Sequence, residues 1–510
     1  MKKIISLLLV TVMVFSLTGV LAGCNKAGKP TVAPSIEDNP EALATFDTTK
    51  PVTIVFYHSM GANLQGVLND AIADFNKVYP NITIEHKTYG DYDGVRDQIK
   101  TEISVGDQPN LAYCYPDHVA LYNVAGAVQS LDALINNTAT ITRPYYQSEI
   151  DMLTYQNSIS ENPMSEADLQ AKIAAGITEP LGFTTEQIAD FIPAYYNEGK
   201  AYGDGKMYTL PVSKSTEVLY YNKSFFESKG LKVPTTWEEM EAVCRQIKAI
   251  DPNCIPLGYD SESNWFITMC EQYGSEYTSI EGENFRFDNE TNRAFVKKFQ
   301  SWYAEGLVTT QELFGGYTSD LFKGAEKANG SRCYMCIGST GGATYQQPNQ
   351  TNGVFDFEVG IASIPQVNPA EPKVISQGPS ICIFKKGDAH EVMATWLFAK
   401  FLATDINFQA AVSMTNGYAP VISSVTEHPA YAQFLSNYST ANIQAYAVKV
   451  ALEQADAYYV SPAFNGSSVA RDQVGILMQA CMLLTGNDID EAIKKAFEQA
   501  IYECKYQSGQ

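Results

Sequence analysis

The amino-acid sequence predicts an α/β protein, and two observations support that prediction. Runs rich in β-branched and aromatic residues alternate with segments in which apolar residues recur at helical spacing, a pattern typical of parallel strands joined by helical crossovers. The chain has 510 residues, of which 45% are hydrophobic and 18% charged. It is therefore too apolar for intrinsic disorder and long enough for two or three domains.

The alternation is clearest between residues 51 and 115. Its elements, in order, are a strand at 51–57, a helix with Leu64, Leu68, Ile72, Phe75 and Val78 on one face, a strand at 82–87, a helix with Val95, Ile99 and Ile103 on one face, and a strand at 110–115. This order predicts parallel strands in one sheet.

Further helices and an insertion are predicted in the rest of the body. Four helices are predicted. The first begins at a capping box in 236–239, and the next two span 294–306 and 391–402. The last, near the end of the chain, has Ile489, Ile493, Phe497 and Ile501 on one face. Residues 136–190 contain turn signals and no strong strand, so they are interpreted as a helical or irregular insertion.

The first 23 residues have the pattern of an export signal. Lys2 and Lys3 precede an apolar run from Ile4 to Leu17, which is of signal-peptide length and too short to span a bilayer. Residues 21–24, Leu-Ala-Gly-Cys, resemble the lipobox of bacterial lipoproteins. That resemblance implies cleavage before Cys24 and a lipid anchor on its thiol and new amino terminus. An ordinary secretory signal with a chance cysteine is the alternative.

Residues 24–50 contain three prolines and no helical or strand periodicity, so a flexible linker between the lipid and the body is expected.

The chain carries 57 acidic and 35 basic residues, a net charge of −22. Removal of residues 1–23 takes away two lysines and leaves −24. This charge argues against nucleic acid and against electrostatic binding to anionic lipid, because both are held mainly by Lys and Arg.

Motifs for catalysis are missing from the sequence. It contains no P-loop, GxGxxG or GxSxG sequence, and its five histidines lack metal-binding spacing, so no cofactor or metal is expected. Cys333 and Cys336 lie in an apolar run that predicts a buried strand, without a second CxxC. The pairing of the nine cysteines besides Cys24 is left open. Paired carboxylates for glycoside cleavage follow no spacing rule, so an enzyme stays an alternative.

Short polar and aromatic segments at strand ends carry the most specific signal. The sharpest is residues 211–223, Pro-Val-Ser-Lys-Ser-Thr-Glu-Val-Leu-Tyr-Tyr-Asn-Lys. The supporting segments are residues 55–60, 108–115, 225–231, 235–239, 338–341, 378–380 and 415–420. In their order and spacing they resemble the family 1 extracellular solute-binding proteins, the receptors of carbohydrate-type ABC importers, and within that family the sn-glycerol-3-phosphate-binding and sugar-binding receptors. The resemblance covers about residues 51–505, apart from 136–190.

The resemblance implies a two-lobed periplasmic-binding-protein-like fold, with a ligand cleft between lobes joined by crossing strands. The expected first lobe is 51–210 plus about 340–378, with 136–190 as its insertion. The expected second lobe is about 215–335 plus 382–505. A cleft also follows from the sheets themselves, because open parallel sheets bind ligands beyond the carboxyl ends of their strands.

The resemblance also implies which residues contact ligand: Tyr92, Asp117, Ser215, Trp265, Ser339, Gly378, Tyr418 and Arg471. Ser215 matches a hydroxyl donor on a crossing strand, and the Gly378 backbone a polar contact, although glycine also serves turns. A lone tryptophan such as Trp265 is otherwise a core residue, and Tyr92 is otherwise a surface tyrosine.

Arg471 matches the arginine that holds phosphate in the glycerol-3-phosphate receptors, and its guanidinium suits phosphate geometrically. Its alternative is an internal salt bridge. Where those receptors have a glutamate, this chain has Pro116 followed by Asp117, so the ligand stays open between a polyol phosphate and a sugar.

The function expected from the resemblance is a non-catalytic, monomeric receptor. It would be tethered through Cys24 to the outer face of the cytoplasmic membrane and would deliver its ligand to the transmembrane subunits of an ABC permease. A carbohydrate-active enzyme and a surface adhesion protein are the alternatives.

Overall fold

The computed structural model describes residues 33–38, 40–324 and 331–510. The expected signal peptide, the expected lipidation residue Cys24 and the first part of the expected linker lie outside these residues. Among the described helices, none combines the length and the apolar character that crossing a membrane requires.

The strands, numbered in chain order, are β1 Val52–His58, β2 Ile82–Thr88, β3 Leu111–Cys114, β4 Thr140–Arg143, β5 Ile177–Pro180, β6 Thr209–Pro211, β7 Ser215–Asn222, β8 Leu257–Tyr259, β9 Val308–Thr310, β10 Met335–Ser339, β11 Gln350–Thr351, β12 Val354–Phe355, β13 Val359–Ser363, β14 Val374–Gln377, β15 Ser380–Ile383 and β16 Tyr458–Tyr459.

The α-helices are α1 Ala62–Val78, α2 Tyr92–Ile103, α3 Pro116–Val124, α4 Asp132–Ile135, α5 Gln147–Ile159, α6 Glu166–Ala175, α7 Thr185–Asp190, α8 Pro193–Glu198, α9 Lys223–Lys229, α10 Trp237–Ile250, α11 Glu262–Tyr273, α12 Glu290–Ala304, α13 Gln311–Phe314, α14 Ser319–Lys323, α15 Ala389–Thr404, α16 Ile406–Asn416, α17 Pro429–Ser436, α18 Ile443–Glu453, α19 Ser467–Met482 and α20 Ile489–Ser508. Short 3-10 turns include Thr340–Gln346.

Two mixed sheets form the centres of two bodies, which confirms the predicted α/β class. The first sheet has the order β2-β1-β3-β15-β6, with β1 parallel to β2 and β3 and with β15 antiparallel to β3 and β6. The strands and helices predicted between residues 51 and 115 form in this body. Helix α1 forms because its apolar residues, including Leu64, Leu68 and Phe75, fall on one buried face.

The second sheet has the order β16-β14-β7-β10-β8-β9, and β13 also pairs with β7. Strand β7 is the long strand of this sheet, and its first residues, Ser215 and Thr216, pair with β14. The predicted capping box opens α10, since the Thr236 hydroxyl accepts from the Glu239 amide at 3.1 Å. Each body has its own apolar core.

Strand pairing corrects the expected division of the second half of the chain. Strands β13 and β14 pair with β7 in the second sheet, although 340–378 was expected in the first lobe. Strand β15 pairs with β3, and α15 and α16 pack in the first core, although 382–505 was expected in the second lobe. Only Gly378 and Pro379 separate β14 from β15, so the chain changes sheets within two residues.

The insertion at 136–190 is mostly helical, with α5, α6 and α7, as expected. It also contains an antiparallel pair, β4 and β5, that was not predicted. Each of these strands has four residues and the two lie 33 residues apart in the chain, so neither shows a recognisable alternation.

The described part of the expected linker is packed rather than free. Ile36 is buried and its amide donates to the Gln129 side chain at 3.0 Å, while the Phe46 ring stacks on His390 at 4.6 Å. Ile36, Leu43 and Phe46 supply apolar contacts to the first core. The sequence did not reveal these contacts, because the prolines in this segment favoured a flexible linker. The cysteines of the described residues, including Cys333 and Cys336, are buried free thiols.

Candidate functional site

Two adjoining cavities lie where the bodies meet, and Gln377 at the end of β14 lines both. The large cavity has a volume of about 520 Å³ and is lined mainly by the second body, with Tyr418 contributed by the first. The small cavity has a volume of about 70 Å³ and is lined by residues of both bodies, among them Asp117 of α3 and Arg471 of α19.

Glu217 is the buried carboxyl group of the large cavity. It is the third residue of β7, and its side chain accepts hydrogen bonds from the Tyr259 hydroxyl at 2.5 Å and the Asn264 amide at 2.8 Å. Burial raises the pKa of Glu217 to about 7, and the two hydrogen bonds and the charge of Arg471 oppose that rise.

Asp260 is the second carboxyl group of this cavity and follows β8 directly. It accepts from both the backbone amide and the hydroxyl of Thr318, each at 2.7 Å. Burial raises the pKa of Asp260, against the effect of those hydrogen bonds. Both carboxyl groups are therefore fixed in position by donors of their own body.

The turn after β10 forms another wall of the large cavity. The Ser339 hydroxyl accepts from the Gly341 amide at 3.1 Å, which starts the 3-10 turn at Thr340. The Tyr418 ring lies on Gly341 so closely that a β-carbon there would come within 2.7 Å of the ring. Glycine is thus required for Tyr418 to reach the cavity from the first body.

Three tyrosines lie on the first body's side of the site: Tyr115 and Tyr418 line the cavities, and Tyr92 packs behind Tyr115. Tyr92, at the start of α2, stacks on Tyr115 with ring centroids 4.4 Å apart, and Tyr115 lines the small cavity. Burial raises the pKa of the Tyr418 hydroxyl. The rings offer faces for apolar contact, and their hydroxyls offer hydrogen bonds.

Arg471 connects the two cavities through Asn264. Its guanidinium donates to the Asn264 side-chain oxygen, and the amide nitrogen of the same Asn264 donates to Glu217. Within the described residues Arg471 has no carboxylate within ion-pair distance, so the internal salt bridge considered as its alternative is not found there. A cation in the small cavity is therefore linked by one neutral side chain to an acid in the large one.

This geometry can be compared with known proteins. The chain matches the bacterial extracellular solute-binding proteins over residues 70–435, which is more than half of its length. The chain belongs to this family. The members of that family are binding proteins, and the fold of two bodies around a cleft is the one expected of this solute-binding protein.

Two curated relatives of this solute-binding protein have the same name. The sn-glycerol-3-phosphate-binding periplasmic protein UgpB of Rhizobium meliloti (strain 1021) is 27% identical over 271 residues, which cover 50% of this chain and 58% of that protein. The match therefore spans less than two thirds of that relative. The protein of the same name from Salmonella typhimurium is 23% identical over 384 residues, covering 74% of this chain and 75% of that protein.

Solved structures share the fold of this solute-binding protein. UgpB from Mycobacterium tuberculosis in complex with glycerophosphocholine has a TM-score of 0.64 at 16% identity, covering 89% of this chain and 99% of that one. The cyclic alpha-maltosyl-1,6-maltose binding protein from Arthrobacter globiformis has a TM-score of 0.63 at 16% identity, covering 89% and 100%. At such identities the likeness shows the fold.

Most of the predicted contact residues lie around the two cavities of this solute-binding protein. Ser339 and Tyr418 line the large cavity, and Asp117 and Arg471 line the small one. Tyr92 stacks on the lining residue Tyr115. Their roles in ligand binding stay predictions.

Trp265 is corrected by the structure. Its side chain is 0% exposed and packs in the second core, against the Tyr259 ring at 4.8 Å and the Phe299 ring at 4.1 Å between centroids. Helix α11 is apolar on most sides, so this tryptophan faces the core and offers no stacking surface to a ligand. It is the core residue that the alternative described.

Ser215 and Gly378 lie in the crossing between the bodies and line neither cavity. Gly378 has a φ of +97°, and a β-carbon there would come within 2.7 Å of the Ser213 carbonyl oxygen. Its glycine is explained by the close approach of two backbone segments. A ligand contact through its backbone stays a prediction.

Glu217, Asp260, Asn264 and Gln377 were missed by the sequence reasoning. Glu217 did leave a signal, because it directly precedes Val-Leu-Tyr-Tyr within one strand, and a carboxylate beside such a buried run is unusual unless it is paired or functional. Asp260 and Asn264 left none, since polar residues after a strand and in the first turn of a helix are common.

Proposed function

We propose that this protein is the extracellular solute-binding component of an ABC importer, and that it binds its ligand without catalysis. The observation that carries the proposal is the large cavity, which is lined by hydroxyl, amide and carboxyl groups where the two bodies meet. Its volume of about 520 Å³ lies in the range of small-molecule sites. Membership in the extracellular solute-binding family supports the same function.

Capture is proposed to work by closure of the bodies around the ligand. Tyr418 comes from the first body, whereas Glu217 and Asp260 come from the second, so relative movement of the bodies changes the enclosure of a ligand. Hinged closure of this kind needs few flexible positions, and the crossing at residues 378–379 has the required length. The closed form would then be presented to the transmembrane subunits of the permease.

Two ligand classes are supported by different observations. A sugar is supported by the carboxyl, amide and hydroxyl groups of the large cavity, because these are partners for several hydroxyls at once. A polyol phosphate is supported by Arg471, which lines the small cavity. The curated relatives are named for binding sn-glycerol 3-phosphate.

The proposal is tested by thermal unfolding of the mature protein with glycerol 3-phosphate, glycerophosphodiesters and oligosaccharides. A ligand at 100 times its dissociation constant is expected to stabilise the folded state by about 2.7 kcal/mol. Incubation with the same oligosaccharides should give no hydrolysis products. Failure of every compound to shift the midpoint would remove the receptor function.

Arg471→Ala separates the two ligand classes. If phosphate binds at Arg471, the variant should lose binding of glycerol 3-phosphate, and intact affinity would contradict that assignment. Arg245→Ala is the matched control, because Arg245 is half-exposed and pairs on the surface of the second body with Glu241 and Glu305.

The tether is proposed to be the lipid on Cys24, which together with the export signal would place the receptor on the outer face of the cytoplasmic membrane. We expect Cys24→Ser to move the protein from the membrane fraction to the medium. Membrane retention of that variant would contradict the lipid anchor.

A further inference from the structure

The two cavities differ in charge. Glu217 and Asp260 both line the large cavity, and its described lining contains no lysine or arginine. Arg471, the cation of the site, lines the small cavity and donates to Asn264. The large cavity is therefore acidic. This is unexpected from the relatives named for binding sn-glycerol 3-phosphate, because that compound is an anion.

The two acids cannot turn away from a ligand without losing hydrogen bonds. Glu217 is 2% exposed and is held by Tyr259 and Asn264 from β8 and α11. Asp260 is held by the backbone and side chain of Thr318. A carboxylate has about four acceptor positions, so each acid keeps acceptor capacity for hydroxyl groups in the cavity.

We propose that Glu217 and Asp260 make the large cavity selective for neutral, hydroxyl-bearing solutes and exclude the phosphorylated or carboxylated forms of the same solutes. The inference rests on the proposed receptor function and narrows its ligand class. Hydroxyl groups donate to the carboxylates in charge-assisted hydrogen bonds. An anionic group in the same enclosed space meets like charges that water screens poorly.

The selectivity should depend on pH, because Glu217 titrates in the neutral range. Burial raises the pKa of Glu217 to about 7, and the charge of Asp260 acts in the same direction. The hydrogen bonds from Tyr259 and Asn264 and the charge of Arg471 oppose the rise. Tyr459 of β16 also faces Glu217. A larger fraction of Glu217 is charged at pH 8 than at pH 6, so exclusion of anions should strengthen as the pH rises through 7.

The test is calorimetric titration of the mature protein with matched probes. Glucose is compared with glucose 6-phosphate and, separately, with glucuronate. The other two pairs are maltose with maltose 1-phosphate and glycerol with glycerol 3-phosphate. For a pair whose neutral member binds, the anionic member should bind about 30-fold more weakly at pH 8, as expected for one like charge at a distance of several ångströms in a partly buried site. The ratio should shrink at pH 6.

Glu217→Gln is the matched variant, because glutamine keeps the size of the side chain and can still hydrogen-bond to Tyr259 and Asn264. It should reduce the ratio of the two dissociation constants about tenfold at pH 8 and remove most of its pH dependence. Glu427→Gln makes the same change of charge at an exposed position and should leave the ratio unchanged. If Glu217→Gln fails to fold, as judged by circular dichroism, the pH dependence of the wild type with glucose and glucuronate decides. The glucuronate carboxylate is charged at both pH values, whereas a phosphate monoester gains its second charge near pH 6.

The outcomes separate this inference from the receptor function. Equal or tighter binding of an anionic member by the wild type overturns the charge selectivity and leaves the receptor function standing. A ratio that does not change between pH 6 and pH 8, or in Glu217→Gln, removes Glu217 from the selectivity. If no member of any pair binds, the inference fails. The receptor function fails with it only when the thermal-unfolding panel also shows no ligand.

Discussion

Two of the places where the bodies meet differ greatly in burial. In the crossing, residues 212–215 lie against 377–380, and Lys214 and Glu198 form an ion pair whose side chains are 0% and 3% exposed. In the helix contact, Arg96 of α2 reaches Ser468 at 3.3 Å and Asp472 at 3.7 Å on α19, and Asp472 is 52% exposed. The first joint is enclosed by protein, and the second is partly open to water on the side of Asp472.

This difference indicates different tasks for the two joints. A charge in the crossing that loses its partner stays buried, so the ion pair should govern whether the bodies fold together. A charge in the helix contact is rehydrated when the contact breaks, so the contact can open and close at low cost. The crossing is therefore expected to control stability, and the helix contact to control ligand affinity.

The largest effect is expected from Lys214→Met. The ammonium of Lys214 also contacts the Ser380 hydroxyl at 3.0 Å and the Gly378 carbonyl at 3.4 Å, and burial raises the pKa of Glu198. Removal of the lysine leaves that carboxyl group buried without its cation. We expect a loss of about 3–5 kcal/mol in the free energy of unfolding, measured by urea denaturation.

Two further variants make this test decisive. Adding Glu198→Gln to Lys214→Met should recover part of the loss, because the buried charge is gone. Lys206→Met removes an exposed lysine that pairs with Glu37 at 3.3 Å, and it should change the stability by no more than about 0.5 kcal/mol. A Lys214→Met protein as stable as the Lys206→Met protein would show that the crossing does not control folding.

A smaller effect on the crossing is expected from Gly378→Ala. Its φ of +97° is unfavourable for alanine, and the added carbon would lie 2.7–2.9 Å from the Ser213 oxygen, Lys214 Cα and Ser215 nitrogen. We expect a loss of about 1–3 kcal/mol in the free energy of unfolding, followed by thermal denaturation.

Two glycines separate the causes of that loss. Gly90 has a φ of +82° and open space at its β-carbon position, so Gly90→Ala measures the backbone cost alone. Gly387 has open space and no positive φ, so Gly387→Ala should be neutral or slightly stabilising. If Gly378→Ala costs no more than Gly90→Ala, the close approach of the crossing segments has no energetic weight.

The same two joints show what could be predicted from the sequence. Strands β1, β2 and β3 were predictable because each is a β-rich run beside a clearly periodic helix. The resemblance placed a change of lobe between 378 and 382, but it assigned the two sides in reverse. Val374–Gln377 and Ser380–Ile383 are both short buried strands, so only strand pairing reveals which sheet each one joins.

The site divides in the same way. Tyr418, Ser339, Asp117 and Arg471, which line the cavities, were predicted as contact residues from their match to positions of a known family. Trp265 was wrong because a single tryptophan in a helix does not reveal which side of that helix is covered. Glu217 was missed because its donors, Tyr259 and Asn264, come from elements more than 40 residues away.

The smallest effect is expected at the helix contact, from Arg96→Met. Arg96 is held toward α19 by Asp93 at 2.8 Å and Asp97 at 3.0 Å on its own helix, so it is already oriented when the bodies approach. Its contacts with Ser468 and Asp472 are partly exposed, and such pairs contribute about 0.2–1 kcal/mol. Ligand affinity should therefore fall by a factor of about 2 to 5, measured by calorimetry with whichever solute the wild type binds, while the free energy of unfolding stays within about 0.5 kcal/mol.

The pH dependence identifies Asp472 as the partner. Partial burial raises the pKa of Asp472 to about 6, although Arg96 opposes that rise. Because the folded-state pKa of Asp472 lies above the usual value, its carboxylate is fully charged only well above pH 6, and its attraction to Arg96 is lost as the pH falls through 6.

The affinity loss in Arg96→Met should therefore be larger at pH 7.5 than at pH 5, and Asp472→Asn should abolish that difference. Arg245→Met removes a comparable surface arginine away from α2 and should leave affinity unchanged at both pH values. An affinity loss as large at pH 5 as at pH 7.5 would show that Arg96 acts through Ser468 or its own helix. The ion pair of Arg96 with Asp472 would then make no contribution to ligand affinity.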